Sequence, residues 1–244
     1  MNNMSSAAQS FNDKGFLALE NLLAEEVATI SAEVDKVIAG EVGGVPEHDI
    51  IYEPNSSPPR VRNIFRLHQY IPFFMETARN PKLVAVVEEI FGRPLRLYAS
   101  QLFAKPAEVG TAVPMHQDMP YWPFEPYELL SCWIALDDST LENGCVRYVA
   151  GSHKLGILNH VPSGVAGNSL GLDDVRLEGL EEVPVEAPRG SCILHHCLTA
   201  HRSEPNRSPN ARRGLIYVYM SDRVRLTDPS KLKGQAEFPT VSTV

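Results

Sequence analysis

The sequence predicts an α+β chain with a mainly β core, a jelly roll or barrel carrying helices at its N-terminal end. Three observations predict it. Helical periodicity is confined to the residues before Gly92. From Leu95 onward, short β-type runs follow one another with Gly, Pro and Asn turn signals between them. Many short strands separated by such turns are what jelly rolls and barrels require.

Taken in order, residues 1–10 are polar and predict a disordered start. Gly15-Phe16-Leu17-Ala18-Leu19 predicts a short strand. Residues 24–39 predict an amphipathic helix, because Val27, Ile30, Val34, Val37 and Ile38 recur at three- and four-residue steps. Gly40 stands where a C-terminal cap glycine belongs. Residues 41–60 are rich in Gly, Pro and Ser and predict a long loop, which is a candidate lid. A second helical stretch covers 72–91; Asn80-Pro81 breaks it and Gly92-Arg93-Pro94 ends it. Strands are expected over 95–103, 112–118, 130–136, 146–149, 182–185, 191–195 and 215–220. Residues 156–181 hold five glycines and little periodicity, which predicts a second long loop and a second candidate lid.

At 244 residues, 43% hydrophobic and 21% charged, the chain fits one globular domain over 1–244. A net charge of −8 argues against a nucleic-acid partner. No apolar run reaches the roughly 20 residues that span a bilayer, and the N-terminus lacks the pattern of a signal peptide. The expectation is a cytoplasmic protein with a small-molecule substrate and no membrane partner. Its four cysteines form no CxxC pair and read as buried free thiols.

The chemistry-bearing feature is His116-Gln117-Asp118 together with the distant His201 and Arg212. On a strand, residues two apart project to one face. An imidazole and a carboxylate on that face, joined by a second imidazole, make the ligand set of non-haem Fe(II) oxygenases. Such a set leaves three coordination positions open for a co-substrate and O2. Arg212, eleven residues past His201, offers a fixed cation for a carboxylate; Arg213 competes with it. In the last β-run Arg212, Gly214 and Ile216 share one face, and Arg213, Leu215 and Tyr217 the other. Each residue also has a plain reading: His116 as a core histidine, Asp118 and His201 as turn and loop residues, Arg212 as a solvated arginine.

Other residues read as structural. His195 and His196 lie on opposite faces of one run, so at most one faces the site, in a packing or hydrogen-bonding role. Tyr121 and Trp122 are candidate pocket walls or core. Arg60, Arg62 and Arg66 read as a solvated basic edge in preference to an anion site.

At these residues the chain resembles the phytanoyl-CoA dioxygenase family, from about Phe11 to Met220. The resemblance rests on Gly15 to Leu23, on Phe103-Ala104-Lys105-Pro106 ahead of His116-Gln117-Asp118, and on Cys132 to Asp138. It continues through Glu142-Asn143-Gly144-Cys145, Gly151-Ser152-His153-Lys154 and His201-x-Ser203-x-Pro205-Asn206. It implies a double-stranded β-helix (a cupin-like jelly roll) with flanking N-terminal helices. It implies Fe(II) on His116, Asp118 and His201, and 2-oxoglutarate with its distal carboxylate on Arg212. Ser203 would add a hydroxyl near that carboxylate; Trp133, Gln117 and Lys105 match positions at or near the co-substrate pocket. The implied reaction converts 2-oxoglutarate and O2 to succinate and CO2 while a substrate C–H is hydroxylated. The carboxylate at Asp118 favours oxygen transfer over halogenation. Desaturation, epimerisation or cyclisation on the same cofactors is the alternative outcome. A non-catalytic cupin-like binder of metal or small acids is the alternative of another class.

Overall fold

A computed structural model describes residues 6–54, 56–165, 168–232 and 237–242 of the chain. It begins with helix α1 (Ser6–Lys14), strand β1 (Phe16–Leu19) and helix α2 (Val27–Ile38). Strands β2 (Ile50–Tyr52) and β3 (Val61–Phe65) lead to helices α3 (Leu67–Tyr70), α4 (Pro72–Ala78) and α5 (Pro81–Phe91). The β core follows: β4 (Leu95–Lys105), β5 (Val113–His116), β6 (Phe124–Glu125), β7 (Leu129–Ala135) and β8 (Val146–Val149). It continues with β9 (His160–Val165), β10 (Asn168–Leu172), β11 (Glu182–Val185) and β12 (Cys192–His196), then β13 (His201–Ser203), β14 (Arg212–Ser221) and β15 (Arg225–Leu226).

Two antiparallel sheets form the jelly roll. The larger runs β1-β12-β7-β14-β4-β3-β2 and the smaller β11-β8-β13-β5. Period-two alternation decides what each face of the large sheet does. On β14, Leu215, Tyr217 and Tyr219 face the helices, joining Leu130, Cys132 and Ile134 of β7 and the apolar stripe of α2. Ile216, Val218 and Met220 face the other way, into the core between the sheets. The Tyr217 and Tyr219 hydroxyls donate to the Phe74 and Ala78 carbonyls at 2.9 and 2.8 Å, so buried polar tips fasten α4 to the sheet. Helix α5 starts as its sequence demands: Pro81 occupies the first turn and Asn80 Oδ1 accepts from the Lys82 N–H at 2.9 Å. No helix among the described residues is long and apolar enough to cross a membrane.

Three loop expectations are corrected. Residues 6–10 are helical, because Ala8 and Phe11 give α1 a buried face; residues 1–5 lie outside the described part. The segment 41–60 contains a helical turn at Glu47–Asp49 and the edge strand β2, held by pairing to β3. The segment 156–181 contains the β9–β10 hairpin, with residues 166 and 167 outside the described part. The hairpin leans on the site strand at Gly171, where a Cβ would lie 3.8 Å from the Pro114 Cβ and 3.9 Å from the Met115 carbonyl oxygen. The basic edge is also corrected: Arg62 is fully buried and paired with Glu53 at 3.0 Å, and Arg66 pairs with Asp49. All four cysteines are buried and free.

Candidate functional site

Strand pairing brings the three candidate ligands together. His116 on β5 is the direct cross-strand partner of His201 on β13. Strand β5 ends there, and this revises the strand geometry expected for His-x-Asp. Asp118 lies two residues beyond the strand in helical conformation (φ −74°, ψ −36°), opening the turn Met119–Tyr121. The turn swings its carboxylate back beside both imidazoles. Asp118 Oδ1 lies 3.7 Å from His116 Nε2 and 3.8 Å from His201 Nε2. One ligand atom from each residue falls within 4.8 Å of the other two.

The surrounding hydrogen bonds fix which atoms face inward. His116 Nδ1 donates to the Pro114 carbonyl and His201 Nδ1 to the Thr199 carbonyl, each at 2.9 Å. Both rings therefore present an unprotonated Nε2 to the carboxylate, the tautomer that metal ligation needs. Burial pushes both imidazoles below their ordinary range, His201 furthest, so both are neutral at neutral pH. Burial alone would raise the Asp118 carboxyl. The hydrogen bond from His195 acts against burial, and the carboxyl is held well below the usual carboxylate range. Two lone pairs and an anionic oxygen converging without a proton between them repel one another until a cation joins them. The donor set thus fits a divalent metal with open positions.

His195 is the residue that sequence reasoning left out of the site. Its Nε2 donates to Asp118 Oδ2 at 3.1 Å, beside the Ser131 hydroxyl at 2.7 Å, while its Nδ1 accepts from the Tyr148 hydroxyl at 3.3 Å. Oδ2 is thereby occupied and Oδ1 is left for the metal. Alternation on β12 allowed at most one of His195 and His196 to face the site, and His195 is the one that does.

A cavity of about 660 Å³ opens over the ligands and is walled by Trp133, Ser203, Arg212, Tyr121 and Trp122 among others. Arg212 is 1% exposed. Burial lowers its guanidinium to about 10, so it remains a cation. One Nη2 donates to the Gly144 carbonyl, the Nε has no partner, and no carboxylate pairs with it among the described residues. The Trp133 ring lies 5.5 Å from its Cζ. A buried cation without a counter-ion is costly unless a ligand supplies one. Arg213 is the opposite case: it grips Asp137 through two nitrogens, at 2.8 and 2.7 Å, and also pairs with Asp35 of α2.

Two expected pocket residues sit elsewhere. Gln117 is fully buried on the far side of the His-x-Asp segment, donating to the Gly156 and Leu198 carbonyls and accepting from the Leu158 N–H. It splints the loop beside the site. Lys105 is the cross-strand partner of Arg212, but its Nζ donates to the Thr111 and Glu204 carbonyls at 2.7 and 2.5 Å. Burial, then the charges of Arg212 and Arg62, pull its pKa down to about 6.

The profile of the family described as phytanoyl-CoA dioxygenase (PhyH) matches residues 11–214. The chain belongs to the phytanoyl-CoA dioxygenase family. It is similar to the ectoine dioxygenase of Bordetella parapertussis, 31% identical over 238 residues, covering 91% of this chain and 76% of that one. Among solved structures it resembles EctD from S. alaskensis with 2-oxoglutarate and 5-hydroxyectoine (TM-score 0.80, 24% identity, 97% and 84% of the two chains). It also resembles the non-haem, alpha-ketoglutarate-dependent epimerase SnoN from nogalamycin biosynthesis (TM-score 0.78, 22% identity, 97% of each chain). Both likenesses show the fold. As a member of this family the chain is a 2-oxoglutarate-dependent non-haem iron dioxygenase that uses O2.

Proposed function

We propose that His116, Asp118 and His201 hold Fe(II) and that Arg212 receives the distal carboxylate of 2-oxoglutarate, with Ser203 beside it and Trp133 as the wall. The reaction is hydroxylation of an unactivated C–H of a small molecule. Bound iron, with 2-oxoglutarate and O2, supplies the oxidising power: substrate, 2-oxoglutarate and O2 become hydroxylated product, succinate and CO2.

The chain's own residues do the positioning. The backbone carbonyls of Pro114 and Thr199 set the imidazole tautomers. Ser131 and His195 hold one carboxylate oxygen so that the other faces the metal. A guanidinium fork matches a carboxylate through two parallel hydrogen bonds. Trp133 and its apolar neighbours keep water from that end of the cavity. The observation that carries the reading is the buried Arg212 without a carboxylate partner in the cavity that holds the ligand triad. The test is succinate formation from 2-oxoglutarate under air with added Fe(II). Wild type is expected to form succinate and His201→Ala is not; equal rates in the two would refute the assignment.

A further inference from the structure

Two carboxamides in the cavity wall have no role in holding metal or co-substrate. Asn63 on β3 is 1% exposed and Asn168 on β10 is 7% exposed; both line the cavity. The Oδ1 of each is buried and has no hydrogen-bond partner among the described residues. Such oxygens are destabilising unless a donor reaches them. They come from two sides: Asn63 from the large sheet, beside Phe103, and Asn168 from the hairpin that leans on β5.

The charges of the wall are already committed. Arg66 is paired with Asp49, and Arg202 with Glu182 and Glu204. Arg212 and Asp118 are assigned to co-substrate and metal. Lys231 stands at the exposed rim. Among the described residues, an anionic substrate would find no uncommitted buried cation to meet it, and a cationic one no uncommitted buried carboxylate. Tyr98 and Trp122, packed edge to face at 5.5 Å, add an aromatic wall suited to a ring.

We infer that the substrate is an uncharged, ring-bearing small molecule whose hydroxyl or amide groups hydrogen-bond with the carboxamides of Asn63 and Asn168. The inference rests on the oxygenase reading above and names the substrate class of the same site. Its size is bounded by what 2-oxoglutarate and the metal leave of the cavity of about 660 Å³, which limits it to a small molecule.

The test is calorimetric titration under argon of the Fe(II)- and 2-oxoglutarate-loaded protein with three probes of one skeleton. These are a phenol bearing a hydroxycyclohexyl ring, its bis-methyl ether, and the corresponding dicarboxylate. The diol is expected to bind about a hundredfold more tightly than either counterpart, the equivalent of about 2.8 kcal/mol. Asn63→Ala and Asn168→Ala are each expected to weaken the diol about tenfold and to leave the ether unchanged. Asn63→Leu is expected to melt at or above the wild-type temperature, because it removes an orphaned polar atom. Tightest binding by the dicarboxylate, no preference for the diol, or unchanged diol affinity in both alanine variants would overturn the inference. So would a sharply lowered melting temperature in Asn63→Leu, which would make the carboxamide structural. If the wild type bound the diol through both asparagines yet formed no succinate, the oxygenase reading would fall and this inference would stand.

Discussion

Gly214→Ala is a one-carbon change with a large expected effect. A Cβ built on Gly214 would lie 1.9 Å from Trp133 Nε1, 2.1 Å from Cε2 and 2.6 Å from Cζ2. Real carbon contacts are about 3.5–4 Å, so the indole must move by well over an ångström. It is 2% exposed and packed into the core between the sheets, next to Arg212. Overpacking of this kind costs about 1–3 kcal/mol. For a chain of this length each kcal/mol is worth about 2–4 °C, so the melting temperature should fall by roughly 2–12 °C. The displaced ring also shifts the wall beside the guanidinium, and the KM for 2-oxoglutarate should rise about tenfold, the equivalent of about 1.4 kcal/mol. Differential scanning fluorimetry and steady-state kinetics in 2-oxoglutarate check both numbers. Wild-type melting together with a wild-type KM would show that the indole has another place to go, and the argument that Gly214 seats Trp133 would fail.

Arg212→Ala should raise the 2-oxoglutarate KM about a hundredfold, since a buried charge-assisted contact is lost. Arg213→Ala should leave that KM near wild type and lower the melting temperature instead, and kinetics on the pair separates the two roles. Ser131→Ala combined with His195→Gln should weaken Fe(II) affinity about 10–100-fold by releasing Asp118 Oδ2, measured by competition with a chelator; unchanged affinity would remove the positioning role. For pH dependence, burial lowers His68 and His196 from 6.5 to about 4. Below pH 6.5 the unfolded chain takes up protons that the folded chain refuses. Stability should therefore fall as pH drops from 6.5 to 4, by up to about 3 kcal/mol for each group. Urea unfolding of the metal-free protein across that range checks it, and His68→Gln should flatten the slope.

Helices α2, α4 and α5 were legible because their signals are local. The apolar stripe of α2, the Asn80-Pro81 break and Gly92 each act within a few residues of themselves. Strands β8 and β11 were legible because both lie in runs bounded by turns. Strand β13 was not, since His201–Ser203 is too short to show alternation and is defined by its partners β8 and β5. The hairpin β9–β10 was hidden for a related reason: packing against the site, not periodicity, keeps it extended. Within the site, residue types and order singled out His116, Asp118 and His201, and the fold brings the three together. Alternation along β14 separates Arg212 from Arg213, and their opposite pairing follows from it. The inward turn of His195, the outward turn of Gln117 and the backbone anchoring of Lys105 depend on neighbours distant in sequence, so no local pattern carried them.

The most direct test is anaerobic titration of the Fe(II)-loaded protein with 2-oxoglutarate, followed by visible absorption. A weak charge-transfer band that grows to saturation, is absent in His201→Ala and needs far more 2-oxoglutarate in Arg212→Ala is the predicted result. Tight metal binding without any such band, or a band indifferent to both substitutions, would contradict it.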